Sequence, residues 1–127
     1  SIPSKLSPLL IDEYPILSIA ATQAEGTTKM SGLKELRYKE SDRIKSIVSN
    51  LKKIGFKIYN KDDTIIIQNA SVNLIKNKKI NSYNDHRIAM SFKILNLILK
   101  NKIQINDESC ISISYPEFNN HLDKLCK

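Results

Sequence analysis

The sequence predicts an α/β domain, with α+β character where helices and strands cluster, and three observations carry that reading. Ile44, Ile47, Val48, Leu51 and Ile54 recur at helical spacing. The runs "FKIYN" and "TIIIQN", rich in β-formers, flank the turn-forming pair Asp62-Asp63. Helical and extended patterns then alternate along the chain, an order that packs helices on sheets.

Each element has a local justification. "DEYPILSIAATQA", residues 12–24, reads as a helix. Asp12 is its expected N-cap, Pro15 falls in the first turn where a missing N–H is tolerated, and Gly26 follows as a stop. "TTKMSG" reads as a short strand. The stripe from Ile44 to Ile54 is the next helix, ended by Gly55. The two runs about Asp62-Asp63 form a hairpin. A loop rich in Asn and Lys leads to "YNDHRIAMSFKILNLILK", a largely apolar helix capped by Asn84 or Asp85. Being apolar nearly all round, it belongs between other elements. "KIQIND" alternates as a strand. "YPEFNNHLDKL" ends the pattern as an amphipathic helix, with Tyr115 and Phe118 on one side and Leu122 and Leu125 continuing it. One unit covers roughly residues 12–69 and a second, partial one follows, as loose structural repeats.

Composition removes several function classes. The 127 residues hold 20 Lys and Arg against 13 Asp and Glu, a net charge of +7. The lysines are scattered, and the densest run, "KNKK" at residues 76–79, has no interleaved aromatics to stack on bases. A solvated basic surface is expected, with no nucleic-acid partner. The longest apolar segment, residues 88–99, is interrupted by Ser91, Lys93 and Asn96 and is too short to cross a bilayer, so no membrane partner is expected. Cys110 and Cys126 are too few and too far apart for a zinc site or redox pair. Without a signal-like start, they read as free thiols of a reducing, cytoplasmic setting. The chain opens on Ser1, which suggests a fragment or a processed product.

The arginines are the sharpest signal. There are three, Arg37, Arg43 and Arg87, and two of them fall in the first turn of a helix, in "KESDRI" and "NDHRIAM". A helix start already offers unpaired N–H groups and a positive field, so a cation there is repelled unless an anion occupies the spot. The planar guanidinium suits phosphate and carboxylate. Pairing of Arg43 and Arg87 with neighbouring Glu40, Asp42 or Asp85 is the alternative, and the recurrence favours an anion site. Glu40, between Lys39 and Arg43, is a carboxylate that beside an anionic substrate can accept or donate a proton. His86 adds an imidazole next to Arg87. Asp12, Ser41 with Asp42, and Asn84 with Asp85 are adequately explained as caps.

"LIDEYPILSIAATQAEGTT", "LRYKESDR", "YNDHRIAM" and "SYPEF", in this order and spacing, resemble the C-terminal part of the enolpyruvylshikimate-phosphate synthase family. The resemblance runs from about Leu9 to Leu125. It implies a partial domain of the enolpyruvyltransferase inside-out α/β barrel, built from βαβαββ units, with residues 1–127 giving about two of three units of one domain. It implies transfer of the enolpyruvyl group of phosphoenolpyruvate to the 5-hydroxyl of shikimate-3-phosphate, with release of phosphate and no metal or organic cofactor. By position, Asp12 resembles the proton acceptor at that hydroxyl, Lys39 the lysine beside it, and Glu40 the acid that protonates the methylene carbon. Arg43 and Arg87 resemble the phosphoenolpyruvate clamp, and His86 the histidine next to it. Two positions depart from the pattern: Ile113 stands where the family often has a lysine, and Glu35 where some members have Asn. The sequence has no counterpart of the family's Lys-Ser-x-x-x-Arg and Ser-Ser-Gln stretches. Two function classes follow. One is a carboxyvinyltransferase segment acting with a separate N-terminal part and inactive alone; the other is a non-catalytic basic α/β module. A neighbouring reading frame with the missing motifs separates them.

Overall fold

A computed structural model describes residues 1–69, 77–100 and 103–127. The predicted Asn- and Lys-rich loop, with Lys76 of the "KNKK" run, lies largely outside the described residues, as does Lys102 at the start of the last strand. In chain order the elements are α1 (Ser7–Leu10), α2 (Tyr14–Gln23), β1 (Thr27–Met30), α3 (Arg43–Ile54), β2 (Lys57–Lys61) and β3 (Thr64–Gln68). They continue with β4 (Lys78–Asn81), α4 (His86–Ile98), β5 (Ile103–Asn106), α5 (Ser109–Ser114) and α6 (Phe118–Leu125). Single 3₁₀ turns stand at Ser4–Leu6 and Lys34–Tyr38. The architecture is mixed α/β.

The first sheet has the order β1-β3-β2, antiparallel throughout, with Met30 opposite Ile65 and Ile58 opposite Ile67. Asp62, at φ 50, makes the tight reversal between β2 and β3, a conformation that Asp tolerates better than most residues. Ile2 adds an isolated parallel bridge beside Met30. Counting that bridge, the run from Ile2 through α2, β1, α3, β2 and β3 reads βαβαββ. The second sheet is the parallel pair β4-β5, joined across α4. Asn50 of α3 ties the two halves: its amide donates to the Asn81 carbonyl at 2.7 Å, and its oxygen accepts from the Asn81 N–H at 3.1 Å.

The apolar stripe of α3 behaves as its spacing predicts. Ile44, Ile47, Leu51 and Ile54 are buried against Ile58, Ile65 and Ile67 of the sheet in one continuous core. Gly55, at φ 114, receives the helix end with its N–H on the Leu51 and Lys52 carbonyls. Ile88, Phe92 and Leu95 of α4 enter the same core, while Leu97 and Ile98 stay exposed. That helix is therefore buried on one side and bare at its C-terminal end.

Several expectations need correction. β4 falls where the sequence predicts a loop; "KKIN" has one apolar residue, Ile80, and becomes a strand through pairing with β5 rather than through propensity. The final helix starts at Phe118, and residues preceding Tyr115 form α5, because the Tyr115 N–H closes on the Ile111 carbonyl at 2.8 Å. α1 and the 3₁₀ turns are too short to leave a periodic pattern in the sequence.

Gly32 illustrates how tightly the N-terminal strap is seated. It holds φ +77, and a Cβ there would lie 2.7 Å from Ser4 Cβ and 3.0 Å from Ser4 Cα. Ser7 donates to its carbonyl at 2.7 Å. Gly32→Ala is expected to cost about 1–3 kcal/mol. The urea midpoint checks this, and an unchanged midpoint would show that the strap yields freely.

Candidate active site

Three chain segments meet at the candidate site: the loop before α2, the turn before α3, and the start of α4. Asp42 caps α3, accepting from the Lys45 N–H at 3.0 Å. Asp85 caps α4, accepting from the backbone N–H groups of Arg87 and Ile88. Each helix thus begins on an acid and carries an arginine in its first turn, as the sequence suggests. The arginines behave differently.

Arg43 is fully buried and surrounded by carboxylates. Its Nε donates to Asp85 Oδ2 at 2.8 Å and its Nη1 to Asp12 Oδ1 at 2.9 Å. Its Nη2 donates to Glu40 Oε2 at 2.6 Å and to Asp85 Oδ1 at 3.3 Å. Arg87 is half-exposed, with Nη1 donating to the Asp12 carbonyl at 3.0 Å and to Glu13 Oε1 at 3.2 Å. Lys39 completes the group, its Nζ 3.3 Å from Asp12 Oδ1. Asp12 is the meeting point: Lys39 and Arg43 bind its carboxylate, and Arg87 its carbonyl.

This placement overturns the reading of Asp12 as a helix cap. Glu13 holds the cap position of α2 and makes no side-chain cap bond. Two cations claim the Asp12 carboxylate, and a charge-assisted bond is stronger than one to a neutral backbone N–H. Asp12, Lys39, Glu40, Arg43 and Arg87 are brought together. His86 opens α4 half-buried, and among the described residues it makes no hydrogen bond to this group. Asp85 went beyond its reading as a cap; its second role is invisible in "NDHR" because the partner is 42 positions away.

Beside Arg87 lies a cleft of about 250 Å³, lined by Asp12 and Glu13 and by the apolar groups of Met90, Tyr115 and Phe118. Ile113, the departure from the family pattern, is exposed at the end of α5 and does not line the cleft. The second half of the chain therefore contributes both a cation and an apolar wall to one concavity.

The family model for EPSP synthase (3-phosphoshikimate 1-carboxyvinyltransferase) matches residues 7–122. The chain belongs to the EPSP synthase family. The 3-phosphoshikimate 1-carboxyvinyltransferase of Sulfurihydrogenibium sp. (strain YO3AOP1) is 50% identical over 120 residues, covering 94% of this chain and 27% of the relative. That of Petrotoga mobilis is 50% identical over 125 residues, covering 98% of this chain and 28% of the relative. A solved EPSP synthase structure from Acinetobacter baumannii superposes with a TM-score of 0.83 at 35% identity, covering 96% of this chain and 28% of that one. The chain thus spans little more than a quarter of the length of these family members.

The electrostatics of the cluster follow from its burial. Burial alone pushes the Asp85 carboxyl up, but hydrogen bonds and charge from Arg43, with the Ser41 hydroxyl and Ile88 N–H, outweigh it and hold the pKa below the ordinary value. Burial works against charge on Arg43 as well, and Asp85 again wins, so its pKa is raised. Asp12 is lowered, with burial opposed by the Arg43 and Lys39 hydrogen bonds. A carboxyl depressed on folding contributes stability at pH above its unfolded value, and that contribution is lost as pH falls through the folded value. Stability is therefore expected to decline below about pH 4, chiefly through Asp85, because Asp12 is partly exposed and screened. Denaturant midpoints between neutral and acid pH test this; an acid slope identical in Asp85→Asn would remove Asp85 as its source. Cys110 is buried, which pushes its thiol up, and Cys126 is exposed; both are free.

Among the described residues, no helix is long and apolar enough to cross a membrane, and no group of three His, Cys, Asp or Glu is arranged to hold a metal.

Proposed function

We propose that the chain is a working segment of a 3-phosphoshikimate 1-carboxyvinyltransferase, contributing about two of the three βαβαββ units of one domain and one wall of a cleft between two. The reaction is transfer of the enolpyruvyl group of phosphoenolpyruvate to the 5-hydroxyl of shikimate-3-phosphate, with phosphate as the leaving group. The observation that supports this best is the convergence of Arg43, Arg87 and Lys39 on Asp12, with Glu40 on the same guanidinium. Two arginines at two helix starts suit a ligand bearing both phosphate and carboxylate.

In this reading Asp12 accepts the proton of the attacking hydroxyl, and Lys39, already on the Asp12 carboxylate, steadies charge there. Glu40 delivers a proton to the methylene carbon, leaving a cationic centre that the hydroxyl oxygen attacks. The resulting tetrahedral adduct breaks down when a proton leaves the methyl carbon and the C–O bond to phosphate opens. Arg43 and Arg87 hold the carboxylate and phosphate through these steps. His86 stands beside Arg87 at the start of α4. The setting is cytoplasmic, and the remaining wall belongs to the rest of the larger enzyme.

A non-catalytic module is the second reading, favoured by the pairing of Arg43 with three acids, Asp12, Glu40 and Asp85, and by Ile113 at the family's lysine position. Reconstitution separates the two. The chain is mixed with the complementary N-terminal portion of a relative, and phosphate release is followed with both substrates. Turnover that requires both parts and disappears with Glu40→Gln supports the transferase; a stable complex without turnover supports the module.

A further inference from the structure

We propose that Asp85 is a positioning residue for the anion site: one buried carboxylate aims the Arg43 guanidinium and fixes the turn from which Arg87 projects. The inference rests in part on the transferase reading, since that reading gives the two arginines a common ligand.

The two Asp85 oxygens divide the work. Oδ1 accepts from the N–H groups of Arg87 and Ile88, at 3.0 and 3.4 Å, and from Arg43 Nη2 at 3.3 Å. Oδ2 accepts from Arg43 Nε at 2.8 Å and from the Ser41 hydroxyl at 3.0 Å. A cap needs a side-chain acceptor, and Asn or Ser supplies one about as well as Asp. The negative charge and the second oxygen are what capping leaves unexplained, and both are used on Arg43.

The guanidinium is correspondingly divided. Its inner edge, Nε with one Nη2 hydrogen, is held by Asp85, which is wholly buried. Its outer edge, Nη1 with the other Nη2 hydrogen, rests on Asp12 and Glu40, whose side chains are 43% and 48% exposed. An entering carboxylate or phosphate can displace exposed acids from the outer edge while the inner edge stays fixed. The fork then presents two parallel N–H donors without first having to find its orientation. Ser41, which also accepts from the Ser46 hydroxyl at 3.2 Å, braces Asp85 from the α3 side.

The 127-residue chain itself serves for the test. With three arginines, the side-chain Nε–H signals are few enough to assign by NMR. In the wild type the Arg43 Nε–H is expected to exchange slowly. Asp85→Asn should keep the Arg87 and Ile88 amides protected, since Asn still caps, while Arg43 Nε–H exchange quickens. Phosphoenolpyruvate, titrated as the probe, should bind about tenfold or more weakly, the scale seen when groups that orient metal ligands are removed. Asp85→Ser, which caps but is too short to reach Arg43, should repeat both effects. Asp42→Asn, which alters the α3 cap and its pairing with Arg37 but leaves Asp85 untouched, should cause neither. Arg43 exchange and affinity within twofold of wild type in both Asp85 variants would overturn the proposal, as would outright unfolding of both, which leaves Asp85 a purely structural role. If the wild-type chain alone binds no phosphoenolpyruvate, one wall is too little for affinity, reconstitution with the N-terminal portion decides the transferase reading, and Arg43 Nε–H exchange still decides the positioning role.

Discussion

Arg43→Met is expected to cost about 3–5 kcal/mol of stability, the loss typical when one member of a buried ion pair is removed. Methionine keeps much of the apolar stem, so the loss reports the charge rather than a cavity. Asp85 stays at 0% exposure with two backbone bonds and the Ser41 hydroxyl but no cation. Asp12 and Glu40 are partly exposed and turn to water, so their share is small. Adding Asp85→Asn should recover a large part of the loss, because a neutral amide caps α4 without needing a counter-charge. The double-mutant cycle in urea measures that coupling. Against a typical total of about 5–15 kcal/mol, the single change brings the fold close to failure. A cost under about 1 kcal/mol would mean that water reaches Asp85 in its place.

The isolated chain is expected to release no measurable phosphate from phosphoenolpyruvate plus shikimate-3-phosphate. Holding two reactants in register supplies about 7–11 kcal/mol of barrier reduction in well-oriented systems. In the transferase reading, the groups gathered around Asp12 form one wall of the cleft. One wall can attract an anion without aligning it against a second substrate. Steady turnover by the pure chain, lost in Glu40→Gln, would show that a single wall suffices and would contradict the two-wall reading.

Much of the fold was legible because α3 and the hairpin state their periods plainly. The stripe from Ile44 to Ile54 has no competing reading, and Asp62-Asp63 marks the reversal. β4 was hidden because its stability is borrowed from β5, which follows it across the whole of α4. Part of the cluster was legible: arginine in the first turn of two helices marked Arg43 and Arg87, Glu40 stood out between Lys39 and Arg43, and the resemblance added Asp12 and Lys39, while Asp85 passed for a cap alone. Its pairing was not. That Arg43 reaches Asp12 and Asp85, 31 and 42 positions away, depends on how α2, α3 and α4 meet. For the same reason Asp12 looked like a cap: local spacing cannot reveal a cation arriving from elsewhere.

Arg43, Arg87 and Lys39 stand among Asp12, Glu13, Glu40 and Asp85, three cations among four acids. Before any ligand arrives, the site resembles an ion exchanger already loaded with counter-ions. Its affinity for an incoming anion is then a difference between two sets of pairings rather than the strength of one. A singly charged ion such as chloride gains little by replacing a tethered carboxylate. A compact ligand carrying both phosphate and carboxylate can displace Asp12 and Glu40 together, leaving beside it the two free acids that the proposed transfer needs for its protons.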